Sequence, residues 1–175
     1  ESVCEFIPED EQWPLPSDDV LRKEDFTVWN HHFFGKEGGN AGPVDYKNSV
    51  NNRYGESASL EEFCEKAQLL NIEDSKGMYE AWNDKMWNDA SGLLIWMSNP
   101  AYPAFVWQTY DYYYDFTGTY WGVKKACEHL HIQWNSLTNS VKVLNTGGAD
   151  LQSATAIATM YDINGNEVTS CRKQC

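Results

Sequence analysis

The pattern of hydrophobic and polar residues divides this chain of 175 residues into three parts. The first part shows no period, because prolines interrupt "FIPEDEQWPLPSDD" and glycines interrupt "FFGKEGGNAGP". Such breaks favour loops with short helices over long regular elements. The first third of the chain is therefore predicted to be mainly loop.

The second part begins at Ser59, where the period becomes helical. Ser59 followed by Glu62 predicts a capping box. Apolar residues then recur on one helix face, at Leu60, Phe63, Cys64, Ala67 and Leu70. The pattern predicts a long helix that runs toward Trp87, with an interruption near Gly77.

A short apolar run follows this helix. "SGLLIWMS" opens with Gly92 and is closed by Ser98, Asn99 and Pro100, which is typical of a strand buried on both faces. A helix that leads into such a strand indicates a parallel α/β arrangement. Residues 104–114 are predicted to form the next helix, and "TGTYWGVKKACE" a turn with a further helical piece.

The third part, after Glu128, has a period of two. "HLHIQWN", "SVKVLN" and "SATAIATMYDI" predict strands, and "NGN" at 164–166 predicts a hairpin turn. Three strands and part of a fourth indicate only the beginning of a β-sandwich, since an immunoglobulin-like sandwich needs about seven. A buried parallel strand also needs neighbours on both sides. The missing strands are expected to come from a parent polypeptide or from another chain.

Charge and composition exclude several classes of partner. The 26 acidic and 13 basic residues give a net charge of −13, which disfavours nucleic acids and anionic membrane surfaces. No apolar run approaches the roughly 20 residues that cross a bilayer, and "ESVCEFIPED" lacks the features of a signal peptide. Neutral or cationic ligands fit this composition better.

Neither the cysteines nor the histidines have the spacing of a metal site. The five cysteines are Cys4, Cys64, Cys127, Cys171 and Cys175. Cys64 and Cys127 are predicted to be small buried residues on helices, and the terminal pair to be free or loosely bridged.

The histidines form two close pairs. His31 and His32 are adjacent and cannot easily aim at one ion. His129 and His131 would share one face of a strand but lack a third ligand. No metal ion is predicted.

The segment "LLIWMSNPAYPAFVWQTYDYYYDF", residues 93–116, is rich in aromatic residues and contains two acidic residues and no basic one. Trp and Tyr each carry a donor that must find a partner when buried. So many of them in one segment indicate a surface or cleft that holds a ligand.

This segment and its surroundings resemble a known family. "GLLIWMSNPAYPAFVWQTYDYYYDFTGTYWGVKKACEHLHIQWN", preceded by "YGESASLEEFCEKAQLLN" and "EAWNDKMW", is similar to glycoside hydrolase family 2. The similarity is to the branch of exo-β-D-glucosaminidases and plant-type β-mannosidases. It runs from Glu1 to about Val168, as a series of motifs in matching order.

The resemblance implies an α/β fold followed by β: the last portion of a (β/α)8 TIM barrel that leads into an incomplete immunoglobulin-like β-sandwich. Residues 1–127 would form the C-terminal segment of the barrel, with strand eight at 93–97 and helix eight beginning in 104–114. Residues 128–175 would form the first strands of the sandwich. The helix from Ser59 would belong to the seventh crossover.

Relatives of this kind hydrolyse β-glycosides with retention, using one carboxyl group as acid/base and a second as nucleophile. The resemblance places both glutamates upstream of Glu1 or on another chain, so the isolated chain is expected to be inactive. Glu1 itself is the exception, because Pro8 follows it at the interval seen in relatives. A competing register, which also matches Pro8, Glu9 and Trp13, places this stretch on the helix just past the nucleophile.

The resemblance also implies that the chain forms part of a sugar-binding pocket. Trp96 matches the tryptophan that underlies the terminal sugar, where a flat ring covers the C–H face of a pyranose; a residue of the barrel core is the alternative. Asn99 matches an asparagine that could donate its amide to a sugar hydroxyl, or it begins a loop before Pro100.

Five further residues have weaker assignments under the same resemblance. Tyr102 and Trp107 would line the pocket rim or pack a helix against the sandwich. His31 lies near an aromatic-His motif and would stand in the pocket wall. Asp111 and Asp115 could attract the ammonium of an amino sugar, but within helix eight they would be solvated or cap an end.

Two functions remain open. The first is the C-terminal segment of a retaining exo-β-glycosidase, of the β-glucosaminidase or β-mannosidase type, that acts on a β-linked oligosaccharide or glycoside. The alternative is a non-catalytic carbohydrate-binding or structural module. No cofactor is implied, and only the resemblance favours a secreted or periplasmic location.

Overall fold

A computed structural model describes residues 1–22, 27–32, 42–105 and 108–175. In this part of the chain, helices come first and antiparallel strands last. Two short 3₁₀ helices, Ser2–Glu5 and Glu9–Glu11, precede α1 (Asp18–Arg22), α2 (Val28–His32), α3 (Pro43–Tyr54), α4 (Leu60–Asn83) and α5 (Gly118–Ala126). The strands are β1 (Leu130–Asn135), β2 (Ser140–Asn145), β3 (Thr155–Tyr161) and β4 (Glu167–Gln174).

The start of the chain has the predicted short helices and loops, but helix α3 is longer than the sequence suggested. Pro43 occupies its first position, where the missing N–H costs nothing, and Val44 and Val50 are buried. The helix ends at Gly55, whose φ of 78° reverses the chain. Its apolar stripe is narrow, because asparagines and charged residues fill most other positions, and the period therefore escaped detection.

Helix α4 begins as predicted. The Ser59 hydroxyl accepts a hydrogen bond from the Glu62 N–H at 3.2 Å. Glu62 reaches back and accepts from the Ala58 N–H at 2.8 Å, one residue earlier than in the usual capping box. The predicted interruption at Gly77 was wrong, because the helix continues through it to Asn83 and stops short of Trp87.

Two predicted elements after α4 were also wrong. Residues 93–97 do not form a strand, and residues 104 to 105 and 108 to 114 are not helical; Tyr110 instead forms an isolated bridge with Phe116. A parallel strand exists only through hydrogen bonds to neighbouring strands, and the described part of this chain offers none to 93–97. Leu94 is accordingly 97% exposed.

Helix α5 forms where the further helical piece was predicted, and its glycines let it approach α4 closely. A Cβ on Gly118 would collide with the Gln68 carbonyl oxygen. A Cβ on Gly122 would collide with the Ser75 hydroxyl and lie 2.5 Å from the Ile72 carbonyl oxygen. The Gly118 N–H donates to Gln68 Oε1 at 2.5 Å.

The chain divides into two compact units. The first comprises Glu1–Gly77 and Leu94–Lys124, and the second Met78–Leu93 and Lys125–Cys175. In the first unit, one buried cluster gathers Ile7, Leu21, Trp29 and Val44, and another gathers Val50, Phe63 and Ala67. The domain boundary after residue 127 stays a prediction.

The second unit contains two antiparallel hairpins in separate sheets, β1 with β2 and β3 with β4. The three predicted strands are confirmed, and the fourth is a full strand of 8 residues. The predicted turn is confirmed too: the Gly165 N–H donates to the Asp162 carbonyl at 3.0 Å, and Gly165 has a φ of 82°.

In the first hairpin, strand β1 buries its polar face and exposes its apolar face. His131 and Gln133 are buried, whereas Leu130, Ile132 and Trp134 on the other face of β1 are exposed. The side chain of His131 therefore does not share its surroundings with His129, which is exposed before the strand begins.

The burial of the cysteines agrees only partly with the prediction. Cys64 is half-buried on α4, but Cys127 is exposed, because α5 ends at Ala126. Cys171 and Cys175 are free thiols. In residues 1–22, 27–32, 42–105 and 108–175, no helix has the length and apolar character needed to span a bilayer.

Candidate functional site

An open cleft of about 1040 Å³ lies within the first unit. Three segments form its walls: the N-terminal 3₁₀ helix, the first half of α4, and the loop that leads to α5. Pockets that bind small molecules usually have volumes of roughly 300 to 1,000 Å³, so the cleft can hold a ligand of that size. Its lining includes Phe6, Leu60, Leu69, Phe105, Tyr110, Tyr112, Tyr113 and Phe116.

The charged side chains of the cleft all have the same sign. Glu1, Glu61, Glu65, Asp111 and Asp115 line it, and none of its described lining residues carries a basic side chain. Glu61 and Glu65 lie four residues apart on α4, and both are exposed. The cleft is therefore electrostatically suited to a neutral or cationic ligand.

Asp111 and Asp115 are held by the loop itself. Asp111 Oδ1 accepts hydrogen bonds from the N–H groups of Tyr113 and Asp115, at 2.8 and 2.9 Å. Ser2 donates its hydroxyl to Asp115 Oδ2 at 3.4 Å. These aspartates were expected on a helix; Asp111 instead caps a turn, which fixes the loop that carries the tyrosines.

Burial raises the pKa of three titratable residues that line the cleft. The pKa of Tyr46 lies far above its usual range, despite its hydrogen bond with Asn71, so the phenol stays a neutral donor. Burial likewise raises the pKa of the Cys64 thiol and of the Tyr113 phenol. None of the three side chains supplies an anion at neutral pH.

Gln108 occupies the wall of the cleft and is 1% exposed. Its backbone carbonyl accepts the Thr117 hydroxyl at 2.5 Å, which fixes the residue in the loop. Among the described residues, its side-chain Nε2 and Oε1 find no hydrogen-bond partner. An amide that is both buried and unpaired is costly in free energy, and it is usual for such a group to have a partner.

Trp96 and Asn99 lie at the end of the exposed apolar run. Trp96 is 78% exposed, and the peptide bond that joins it to Met97 is cis. The Ser98 hydroxyl donates to Asn99 Oδ1 at 3.2 Å. The Ser98 carbonyl accepts from the Tyr110 N–H at 3.0 Å and the Thr109 hydroxyl at 2.9 Å, so this turn is fastened to the loop before α5.

His31 and Tyr102 are brought together at the end of α2. Their ring centroids are 6.1 Å apart, and those of Tyr102 and His32 are 6.4 Å apart. His32 Nδ1 donates to the Pro103 carbonyl at 2.5 Å, and the Phe105 N–H donates to the His32 carbonyl at 2.9 Å. His32, which the sequence analysis considered only as a metal ligand beside His31, thus positions the loop that carries Tyr102.

Among the candidate residues that the structure describes, Glu1, Asp111 and Asp115 line the cleft, and Trp96, Asn99, Tyr102 and His31 are not among its lining residues. Glu1 is exposed and directly precedes the first 3₁₀ helix. Trp107 lies outside the described residues. The roles predicted for these residues in sugar binding stay predictions.

Sequence reasoning missed Gln108, Glu61 and Glu65. The two glutamates had a detectable signal, since a spacing of four residues places them on one helix face. Gln108 had none, because burial of a single polar residue in a loop depends on contacts from distant segments.

Comparison with curated proteins finds glycosidases. The chain is 36% identical over 132 residues to an exo-β-D-glucosaminidase of Amycolatopsis orientalis, covering 73% of this chain and 13% of that protein. It is 28% identical over 165 residues to a mannosylglycoprotein endo-β-mannosidase of Lilium longiflorum, covering 89% of this chain and 16% of that protein. No protein-family profile matches the chain.

Solved structures give the same result. The exo-β-D-glucosaminidase CsxA, solved with a glucosamine-configured castanospermine inhibitor, superposes with a TM-score of 0.79 at 27% identity, over 99% of this chain and 20% of that one. The β-D-mannosidase of Dictyoglomus thermophilum superposes with a TM-score of 0.66 at 19% identity, which supports the fold alone.

These relatives are much longer than the chain, which spans 16% or less of the two curated proteins. Both relatives are glycoside hydrolases. The chain belongs to the family of the exo-β-D-glucosaminidases and β-mannosidases, glycoside hydrolase family 2, and corresponds to a C-terminal part of those larger enzymes.

Proposed function

We propose that the chain is the C-terminal segment of a retaining exo-β-glycosidase, of the β-glucosaminidase or β-mannosidase type, and that it forms part of the sugar-binding pocket. The observation that carries this proposal is the superposition of 99% of the chain on CsxA at a TM-score of 0.79. A related structure holds the Amycolatopsis orientalis exo-chitosanase CsxA in complex with PNP-β-D-glucosamine. We infer a β-linked glycoside as substrate from this similarity.

The exposure of the apolar run at 93–97 supports the proposal that further strands pair with it in the larger enzyme. Leu94 is 97% and Trp96 is 78% exposed, although an apolar run of this kind gains free energy from burial. We propose that residues 93–97 become the eighth strand of a (β/α)8 barrel when the remaining barrel strands, from the parent polypeptide or a companion chain, pair with them. Trp96 and Asn99 would then stand at the C-terminal end of that strand, where barrel active sites lie.

The exposed apolar face of β1 supports the proposal that a β-sandwich follows the barrel segment. Leu130, Ile132 and Trp134 point away from the buried face, and the two hairpins form separate two-stranded sheets. Isolated two-stranded hairpins are marginally stable, and an immunoglobulin-like sandwich covers such faces with a second sheet. We propose that residues 128–175 are the first strands of this sandwich.

A retaining glycosidase needs two carboxyl groups about 5 to 5.5 Å apart, one as acid/base and one as nucleophile. We propose that both glutamates come from upstream sequence or another chain. The chain's own contribution would be binding: Trp96 under the pyranose ring, Asn99 at a sugar hydroxyl, and Tyr102 with His31 at the rim.

Hydrolysis of two matched substrates tests the proposal. The natural polypeptide that carries residues 1–175 is assayed on aryl β-glucosaminide and aryl β-mannoside side by side, with residues 1–175 alone as the control. We expect the natural polypeptide to cleave one of them with retention and the control to cleave neither. Lack of cleavage of both substrates contradicts the proposal, and binding without cleavage would favour a non-catalytic carbohydrate-binding module.

A further inference from the structure

The loop at 98–105, which we call the pocket loop, carries Asn99 and Tyr102, two residues of the proposed sugar-binding pocket. Asn99 is exposed and Tyr102 is half-buried. Pro100 and Pro103 lie in the same loop and have no N–H to donate. Fewer backbone groups of the loop can therefore fix its conformation, and contacts from other segments must do so.

The start of the pocket loop is held at Ser98. The Ser98 carbonyl accepts hydrogen bonds from the Tyr110 N–H at 3.0 Å and from the Thr109 hydroxyl at 2.9 Å. This anchor precedes Asn99. The segment that carries Tyr102 needs a second anchor on its other side.

His32, the last residue of α2, provides this second anchor. Its imidazole Nδ1 donates to the Pro103 carbonyl at 2.5 Å, and its own carbonyl accepts from the Phe105 N–H at 2.9 Å. Because a carbonyl oxygen can only accept, the bond to Pro103 requires a proton on Nδ1. His32 thus holds the pocket loop through its side chain and its backbone, directly after Tyr102.

The position of His32 is itself fixed by buried aromatic residues. Trp29, one turn earlier on α2, is 2% exposed and donates its Nε1 to the Glu11 carbonyl at 2.8 Å. The Trp29 ring stacks on Phe105, with centroids 5.0 Å apart and planes 7° apart. The Phe6 ring lies 4.5 Å from the imidazole, centroid to centroid. The core of the first unit therefore places the Nδ1 donor.

The neighbouring histidine, His31, is placed differently. It is exposed, whereas His32 is half-buried. The ring centroids of His31 and His32 lie at similar distances from that of Tyr102, 6.1 and 6.4 Å. Proximity to Tyr102 does not distinguish the two histidines, but the hydrogen bond to Pro103 is made by His32.

We propose that His32 is a positioning residue of the sugar-binding pocket, whose Nδ1–H holds Pro103 and thereby places Tyr102 and Asn99 against the sugar. The inference rests on the proposed function, which gives these two residues their contact with substrate. His32 acts through the pocket loop and does not itself touch the sugar. Contacts that are made equally to bound substrate and transition state lower KM without changing kcat. Loss of the anchor should therefore raise KM and leave kcat near the wild-type value.

Two replacements separate the donor from the ring. Asparagine carries its amide nitrogen on Cγ, as histidine carries Nδ1, so H32N keeps a donor near the Pro103 carbonyl. Glutamine carries its amide nitrogen one bond further out, so H32Q loses that position although both variants remove the ring. In the natural polypeptide that carries residues 1–175, H32Q should raise KM for the cleaved aryl glycoside about two- to tenfold, and H32N should stay within about twofold, as expected for one hydrogen bond. H129N, the same replacement at an exposed histidine of the second unit, should leave KM unchanged.

Amide hydrogen exchange provides a readout that does not depend on catalysis. Exchange is followed by mass spectrometry on peptides that cover the pocket loop, in the same natural polypeptide. The loop should exchange faster in H32Q than in the wild type, and H32N should restore slow exchange. Peptides from the β1–β2 hairpin should exchange equally in all of these proteins, because His32 makes its contacts within the first unit.

Four results would overturn the proposal. The first is a wild-type KM in H32Q, whether or not the loop exchanges faster. The second is an H32N variant that raises KM as much as H32Q, or beyond about twofold where H32Q does not fold, since the lost ring and not the donor would then explain the effect. The third is a fall in kcat with KM unchanged, which would contradict a role in binding.

The fourth result separates this inference from the proposed function. A wild-type polypeptide that cleaves neither aryl glycoside would refute the proposed function. Hydrogen exchange would then decide whether His32 positions the pocket loop, and equal exchange in H32Q and the wild type would overturn that role as well.

Discussion

The imidazole Nε2 of His131 lies 2.8 Å from Glu80 Oε1, and His131 is 3% exposed. Glu128 approaches the other ring nitrogen at 3.9 Å. Gln133, two residues along the same face of β1, donates to the Glu80 carbonyl at 2.7 Å. Polar contacts therefore attach the first hairpin to the last turns of α4 within the second unit.

His131 should accordingly be important for stability. H131A removes the partner of a largely buried carboxylate and should lower the free energy of unfolding by about 1.5 to 3 kcal/mol. H129A changes an exposed side chain and should have an effect within about 0.5 kcal/mol. Urea denaturation of the two variants and the wild type measures both, and equal effects would contradict the contact.

The crossing of α4 and α5 leads to a second prediction. G122A places a Cβ against the Ser75 hydroxyl and the Ile72 carbonyl, so it should destabilise the protein by about 1 to 3 kcal/mol. Gly77 is the matched control, because it lies inside α4 and a Cβ there meets nothing within 4 Å. G77A should stabilise the protein by up to about 1 kcal/mol, since alanine loses less backbone entropy than glycine in a helix. Denaturation curves with the same sign for both variants would contradict the close approach.

The capping box at the start of α4 predicts a pH dependence. The Ala58 N–H, and then Lys66, lower the pKa of Glu62 below its ordinary value of 4.5. A carboxyl group whose pKa is lower in the folded state stabilises the fold above its unfolded pKa, and this contribution is lost as the pH falls through the folded pKa. The difference in unfolding free energy between wild type and E62Q should thus be present at pH 7 and shrink below pH 4.5. A difference that stays constant across this range would contradict the cap.

A stability measurement at neutral pH tests the second hydrogen bond of the capping box, from the Glu62 N–H to the Ser59 hydroxyl. S59A removes the acceptor of the Glu62 N–H and should cost about 0.5 to 2 kcal/mol. T138A is the matched control, because it removes an exposed hydroxyl in the β1–β2 turn and should cost less. Thermal unfolding of both variants provides the comparison.

Trp96 leads to a prediction about activity under the proposed function. W96A in the natural polypeptide should lower kcat/KM for the cleaved aryl glycoside by about tenfold, because a ring that stacks on the sugar is worth roughly 0.5 to 1.5 kcal/mol beyond its area burial. Trp87 is the control, since it is 82% exposed and was not assigned to the pocket. W87A should keep kcat/KM near the wild-type value, and equal losses would argue against a sugar contact at Trp96.

The sequence by itself determined the local features. Ser59 and Glu62 predicted the start of α4, because a cap depends on side chains within one turn. The turn at 162–166 and the alternation of β1 to β3 were likewise readable, since a hairpin turn needs φ above zero and a strand has a period of two. The resemblance to glycosidases also came from residue order alone, and the comparisons confirm it.

Only the tertiary structure decided which of these elements are complete and which faces are covered. The run at 93–97 has the composition of a strand, but strand pairing requires hydrogen bonds from segments distant in sequence. Three further features depend on the same kind of long-range contact: the burial of His131 rather than Ile132, the close approach at Gly122 and the burial of Gln108. Local sequence fixes the backbone period, whereas burial and pairing are properties of the surfaces that meet.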